Sequence, residues 1–73
     1  MKFEVGDRVT VYFGETEDIT GIQDATVMKF FSWFTKTQND GNEYYGVMPD
    51  VLSDDPEASP LMVSDDKMKK ITT

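Results

Sequence analysis

The chain has no cysteine and no histidine, and this restricts a fold of 73 residues more than any other feature of the sequence. Disulfide bonds cannot stabilise such a fold, and a zinc site would need carboxylates alone, which is rare. A chain of this length has enough large apolar side chains for one core only. The sequence therefore predicts a single domain over residues 1–73 that is stabilised by packing and has no metal and no other cofactor.

Charges lie close to the N-terminus, at Lys2, Glu4 and Asp7, where a signal peptide would need an apolar run. The aromatic cluster between residues 30 and 34 is far too short to cross a bilayer. The absence of cysteine agrees with a reducing compartment. These features predict a cytoplasmic protein.

Alternation of apolar and polar residues indicates a strand between residues 2 and 13. Val9 and Val11 share one parity and Tyr12 has the other, so Tyr12 is predicted to face solvent. Val5 has the parity of the other valines, which places it with them in the predicted core.

Two segments are predicted to be long loops. Residues 14–24 include two glycines and several acids but no sustained apolar periodicity, and Ile19 and Ile22 are expected to anchor this loop on the body. Residues 50–60 contain two prolines and four acids, a composition typical of irregular surface segments.

Residues 25–36 are apolar on both strand parities, and their secondary structure has two interpretations. Their aromatic and β-branched side chains, followed by a turn signal at residues 39–41, favour a long bent strand. A helix is the alternative, because apolar residues also recur at the i, i+3, i+4 and i+7 spacing. Residues 43–48 are predicted to form the return strand, which ends at Pro49.

The C-terminal part is predicted to contain a short strand at 61–63, a helical turn over 65–68 that Ser64 caps, and a last strand at 69–71. The predicted core consists of Val5, Val9, Val11, Val27, Phe31, Tyr45, Val47, Leu61, Val63 and Ile71.

The opening Val-Gly-Asp-Arg-Val-Thr-Val at residues 5–11 is similar to the VGDxVxV start of many small bacterial and phage SH3-like barrels. The order of predicted elements resembles that family over nearly the whole chain. The resemblance implies an all-β fold, a small five-stranded SH3-like barrel with a short helical turn near the C-terminus. Signalling SH3 domains match poorly, because their ALYDY start is absent and no second tryptophan follows Trp33. Recognition of proline-rich peptides is therefore not implied.

The chain is acidic, with 14 Asp and Glu against seven Lys and Arg and a formal net charge of −7. Residues 37–66 include eight acids and no Lys or Arg. Such a surface repels phosphates within the Debye length of ~8 Å, so nucleic acids and anionic membranes are excluded as direct partners. The same field favours a protein with a basic surface, which includes nucleic-acid-binding proteins. The alternative is that the acids only keep a small protein soluble.

Two candidate contact surfaces follow from the residue types. The first joins aromatic anchors to carboxylates that can pair with Arg or Lys: Tyr12, Trp33, Tyr44, Glu15, Glu17 and Asp18. The resemblance implies its location, because the groove beside the long first loop is a common contact surface in SH3-like barrels. The alternative is that these aromatic side chains only complete the core. The second is an acidic tract: Asp50, Asp54, Asp55, Glu57, Asp65 and Asp66.

The acidic tract has two interpretations besides solubility. It could imitate a nucleic-acid backbone, since duplex DNA carries one charge per ~1.7 Å of axis, and so act as a decoy for a DNA-binding protein. Many phage-encoded inhibitors resemble such a design in size and acidity. Calcium could bind at 50–57 or at 39–43, but neither stretch has the EF-hand register. Catalysis is not predicted, because the sequence has no Cys or His and no glycine-rich phosphate loop.

The sequence thus predicts a non-enzymatic interaction module that binds a basic surface of a protein partner, as a phage-encoded inhibitor or nucleic-acid mimic would. If the chain is encoded by a phage, its compartment is the host cytoplasm. The alternative is a structural subunit of a larger assembly, held by an exposed aromatic face that includes Phe30 and Phe34. The oligomeric state stays open.

Overall fold

The computed structural model describes residues 2–15 and 20–71. These residues form five strands, one helix and two 3₁₀ turns: β1 (Arg8–Glu15), β2 (Thr20–Phe30), α1 (Ser32–Gln38), β3 (Tyr44–Pro49), a turn at Asp50–Leu52, β4 (Leu61–Ser64), a turn at Asp65–Lys67 and β5 (Met68–Lys70). Over the described ranges, no helix combines the length and the apolar character needed to cross a membrane.

The five strands form one antiparallel sheet in the order β4-β3-β2-β1-β5, curled into a half-barrel. This confirms the predicted all-β fold and the short helical turn before the last strand. Membership of the SH3-like family stays a prediction. The two edges of the sheet are β4 and β5, so the half-barrel is open between them.

The core lies on the concave face of the sheet. Tyr45 is completely buried at its centre, with the Phe3 ring edge-on at 5.4 Å and the Phe30 ring tilted at 5.1 Å between centroids. The buried apolar residues are Phe3, Val9, Val11, Ala25, Val27, Tyr45, Val47, Val63 and Met68. Phe30 packs against this core, so it does not belong to the exposed aromatic face predicted for it.

The predicted core is wrong at Val5, which is 64% exposed. The N–H of Asp7 donates to the carbonyl of Glu4 at 3.0 Å, and this turn ends the N-terminal segment before β1 begins at Arg8. The alternation of buried and exposed residues does not continue through a turn, so the parity of Val5 does not predict that it is buried with the valines of β1. Phe31, Leu61 and Ile71 are only partly buried, and their predicted places are taken by Phe3, Ala25 and Met68.

The predicted loop at 14–24 is wrong for most of its described residues, because β1 and β2 continue into it. Gly14 pairs with Gly21, and the register shifts between Tyr12 and Gly14, which leaves Phe13 as a bulge. Gly14 has φ +69°, a left-handed conformation that glycine adopts without steric cost. Ile22 is 68% exposed, so its predicted packing on the body is wrong, and Ile19 lies outside the described residues.

Each interpretation of residues 25–36 is right for half of the segment. β2 ends at Phe30, and α1 begins at Ser32. The N–H of Phe31 donates to the carbonyl of Tyr44 at 2.9 Å, and its own carbonyl accepts from the N–H of Thr35 at 2.9 Å. One residue therefore makes the last bond of the sheet and the first bond of the helix.

Gly46 on β3 lets the chain turn closely at this junction. A Cβ atom at this position would lie 3.1 Å from the Phe31 ring and 2.9 Å from Cγ of Lys29. The Phe31 ring therefore covers β3 on the convex face, where no side chain larger than hydrogen fits without displacement.

Candidate partner-binding site

A groove of about 540 Å³ lies at the opening of the half-barrel, and we call it the seam groove. Strand β4 forms one wall, β1 and the second 3₁₀ turn form the other, and α1 closes one end. Its lining residues are Tyr12, Phe13, Phe34, Gln38, Tyr44, Leu61, Met62, Val63, Ser64 and Lys67. The groove exists because the sheet ends at β4 and does not close on β5.

The bulge in β1 shapes one wall of this groove. Phe13, the bulged residue, is partly buried against the core while Tyr12 before it is 54% exposed. The ammonium of Lys67 lies 5.7 Å from the Tyr12 ring centroid, in cation–π range. A bulge redirects side chains locally, and here two successive aromatic residues line the same groove. The predicted exposure of Tyr12 is confirmed.

Helix α1 brings a third aromatic side chain to the groove. The Phe34 ring meets the Tyr44 ring edge-on at 4.8 Å between centroids, and the N–H of Tyr44 donates to the hydroxyl of Thr35 at 2.9 Å. The Tyr44 hydroxyl donates to the Asp40 carboxylate. This bond lowers the pKa of Asp40 and raises the pKa of Tyr44. Tyr44 is thus held by the helix at one side and by a carboxylate at its tip.

Trp33, predicted to share a surface with Tyr12 and Tyr44, lies apart from them. It is 73% exposed and lines a neighbouring concavity together with Lys29 and Phe31. Phe34 and Met62 line both this concavity and the seam groove, so the two surfaces adjoin. Trp33 lies in the first turn of α1, not on a strand of the sheet as the prediction of a long bent strand assumed.

The acids of the first candidate surface are described only in part. Glu17 and Asp18 lie outside the described residues, and for Glu15 only its backbone place at the end of β1 is described.

Two carboxylates of the predicted acidic tract are paired with internal cations. Arg8 donates to both oxygens of Asp50, at 2.8 and 2.6 Å, and this bond lowers the pKa of Asp50. Asp65 is 3% exposed and accepts from the Lys2 ammonium and from the N–H of Glu43. Burial opposes its ionisation most strongly, but these two donors outweigh burial and its pKa is lowered.

The remaining acids of the tract are exposed and lie at the two ends of β4. Asp54, Asp55 and Glu57 precede the strand, and Asp55 and Glu57 line a shallow concavity that reaches Leu61. Asp66 follows the strand and accepts from the Ser64 hydroxyl. The exposed acids of the tract therefore lie on both sides of β4, with a group of three before the strand and Asp66 after it. Within residues 2–15 and 20–71, no cluster of carboxylates is arranged to hold a metal ion.

Several residues of the groove were not predicted as site residues, among them Phe13, Met62 and Lys67. Gly14 was the one sequence signal for the bulge at Phe13, since a glycine inside a strand often marks a bulge. No local signal marked Met62, because its place at the seam depends on the order of the strands.

Comparisons of this chain with protein-family models, with curated proteins and with solved structures found no match.

Proposed function

We propose that this chain is a non-enzymatic interaction module that binds a protein partner through the seam groove. The observation that carries the proposal is the groove itself, where half-exposed Tyr12 and Met62 stand beside Phe34 and Tyr44 at an unclosed edge of the sheet. Aromatic and methionine side chains are enriched at protein contacts, where they bury a large apolar area. The site of action is the cytoplasm, or the host cytoplasm for a phage-encoded chain.

The net charge of −7 favours a partner with a basic surface. The exposed acids adjoin the groove at Leu61 and at Ser64, so they would lie near both ends of a partner segment seated along β4. A nucleic-acid mimic needs a continuous row of free carboxylates. Since Asp50 is paired with Arg8 and Asp65 with Lys2, the mimic has less support than a contact through the groove.

A second candidate function is a structural subunit of an assembly, and the exposure of Trp33 favours it. This side chain and the concavity beside it could pack permanently against a neighbouring subunit. Such a contact would centre on Trp33 and would share Phe34 and Met62 with the seam groove, but not Tyr12.

Affinity capture with matched variants tests the two candidates. The immobilised chain, Tyr12→Ala, Trp33→Ala and a Val51→Ala control, whose side chain is exposed elsewhere, are incubated with bacterial lysate at low and at high salt. We expect a partner that is retained at low salt, released at high salt, lost with Tyr12→Ala and kept by the other two variants. A partner that stays bound at high salt and is lost only with Trp33→Ala would support the structural subunit.

A further inference from the structure

Strand β4 has one row of backbone groups directed away from the sheet. The N–H of Asp65 donates to the carbonyl of Glu43 at 2.8 Å, and bonded pairs in an antiparallel ladder recur every second residue. Val63 and Leu61 therefore bond to β3, whereas the N–H and C=O groups of Met62 and Ser64 point outward.

The bonds on the other side of β3 agree with this assignment. Phe31 donates to the carbonyl of Tyr44, so the backbone groups of Tyr44 and Gly46 face β2 and those of Tyr45 face β4. Tyr45 is the residue opposite Val63. Two independent hydrogen bonds thus give the same result, that the backbone groups of Met62 and Ser64 point away from β3.

The two edges of the sheet differ in protection. Edge strands usually carry charges, prolines or bulges that prevent pairing with another chain. β5 fits this rule, because Lys69 and Lys70 are two of its three residues. β4 reads Leu-Met-Val-Ser, with no charge, no proline and an unbroken register against β3. The unprotected edge is also the one that borders the seam groove.

From these observations we infer that β4 binds its partner by strand addition, pairing with an extended segment of the partner protein. The inference rests on the proposed function and specifies its contact. Four hydrogen bonds to Met62 and Ser64 would hold the segment backbone. Alternate side chains of the segment would enter the seam groove, whose floor at Phe13, Leu61 and Val63 is apolar.

The charges at the ends of β4 define the chemistry of the segment. Asp55 and Glu57 adjoin Leu61 at one end, while Asp66 and Asp40 lie beside Ser64 and Tyr44 at the other. Four residues of strand span ~13 Å at ~3.3 Å per residue. The fitting segment therefore has β-branched or other apolar residues at its centre and Lys or Arg at both ends.

Charge also argues against a second copy of this chain as the occupant. Antiparallel pairing of two β4 strands about a two-fold axis would bring the cluster of Asp55 and Glu57 beside Asp66 of the other copy. Like charges in such a contact disfavour association, and each copy carries a net charge of −7.

A displayed library of random seven-residue peptides, selected against the full chain, tests the inference without the partner itself. We expect enrichment of sequences with Lys or Arg near both ends and β-branched residues between. Enrichment of proline-rich or acidic sequences, or of none, would overturn strand addition. The best peptide is then synthesised with blocked ends and titrated while the amide resonances of the protein are observed. The amide protons of Met62 and Ser64 should shift and become protected from exchange.

Two variants of one position separate the backbone contact from the side-chain contact. Met62→Ala and Met62→Pro both remove the thioether, but only Met62→Pro removes the outward N–H, and proline is tolerated at such edge positions. We expect Met62→Pro to bind the peptide about tenfold more weakly than Met62→Ala, the equivalent of one lost hydrogen bond. Equal affinities would overturn the inference. Thermal unfolding confirms that both variants are folded.

Charge reversal gives a second, independent readout. Glu57→Lys should weaken binding of the peptide by at least about threefold at low salt. Asp24→Lys, a charge reversal at an exposed position on β2, should have little effect on binding. If Met62→Pro still captures the lysate partner and Tyr12→Ala does not, strand addition is overturned and the proposed function stands. Self-association that Met62→Pro abolishes would identify a second copy as the occupant and overturn the inference.

Discussion

The concave face of β1, β2 and β3 and the seam at β4 use similar side chains in opposite ways. On the concave face, Val9, Val11, Val27, Tyr45 and Val47 are at most 1% exposed. At the seam, Tyr12 and Met62 remain about half exposed beside a groove. The concave face has a strand on either side of each of its strands, whereas β4, among the residues that the structure describes, has a neighbour on one side only.

This difference separates stability from binding within one small sheet. Burial of apolar area is the main term that stabilises the fold, and the concave face supplies most of it. The seam contributes less burial, and on β4 the backbone groups of Met62 and Ser64 point away from the sheet, where an added chain can bond to them. Substitutions in the two regions should therefore affect different measurements.

The largest loss of stability is expected for Tyr45→Ala. Removal of a fully buried aromatic ring that packs on Phe3 and Phe30 should cost about 3–5 kcal/mol. A chain of this size has about 4–11 kcal/mol in total, so the variant should lose at least about a quarter of its stability and should be unfolded if the total is near the lower end of that range. Circular dichroism with urea titration measures this. Tyr45→Phe, which removes only the hydroxyl that donates to Glu43 at 2.5 Å, should lose clearly less, and equal losses would show that the ring is not what matters.

Gly46→Val should cost somewhat less, about 3 kcal/mol, because the added side chain meets the Phe31 ring and Lys29. The control Met48→Val is on the same strand and face and should lose under about 1.5 kcal/mol. Denaturant unfolding of both variants is the measurement. If Gly46→Val left the free energy of unfolding unchanged, Phe31 and Lys29 would have to move aside at little cost.

Asp65→Asn should cost about 1–2 kcal/mol at pH 7, because the variant loses the charge-assisted bond from Lys2. The folded-state pKa of Asp65 lies below its ordinary value of 3.8. Its contribution is therefore complete above pH ~4 and disappears as the pH falls through the folded-state pKa. Unfolding free energies at pH 7, 4 and 3 should show the gap between the two proteins closing. Asp54→Asn, at an exposed carboxylate, serves as control, and a gap independent of pH would contradict the pairing.

The smallest effect on stability is expected at the seam. Tyr12→Ala and Trp33→Ala should each change the free energy of unfolding by less than about 0.5 kcal/mol, since both side chains are largely exposed. Partner capture should nevertheless distinguish them, since only Tyr12 lines the seam groove. A loss above 2 kcal/mol for Tyr12→Ala would place this ring in the stabilising core and weaken the contrast between the two regions.

Local patterns predicted the elements whose neighbours in sequence decide their structure. The strand at 43–48, the short strand at 61–63 and the outward side of Tyr12 all follow from alternation over a few residues, and the structure has them within a residue or two. Prediction failed where a distant segment decides the outcome. Phe31 leaves the sheet because it bonds to Tyr44 and covers Gly46, neither of which a local window includes.

The candidate site shows the same division. Tyr12 and Tyr44 were identified from residue type and both line the groove, while Trp33 was grouped with them and is separate. The acids were identified from composition, but the pairing of Asp50 with Arg8, 42 positions away, could not be. Such contacts depend on which strands become neighbours.

The sequence alone determined an acidic, all-β chain without cysteine or histidine, because composition and two-residue alternation are local properties. Only the tertiary structure decided that the sheet stops at β4, that a bulge and a helix border the opening, and that acids lie at both ends of the free edge. Strand order and curl depend on pairing between segments that are distant in sequence. Which strand becomes an edge is therefore decided by how all the other strands pair.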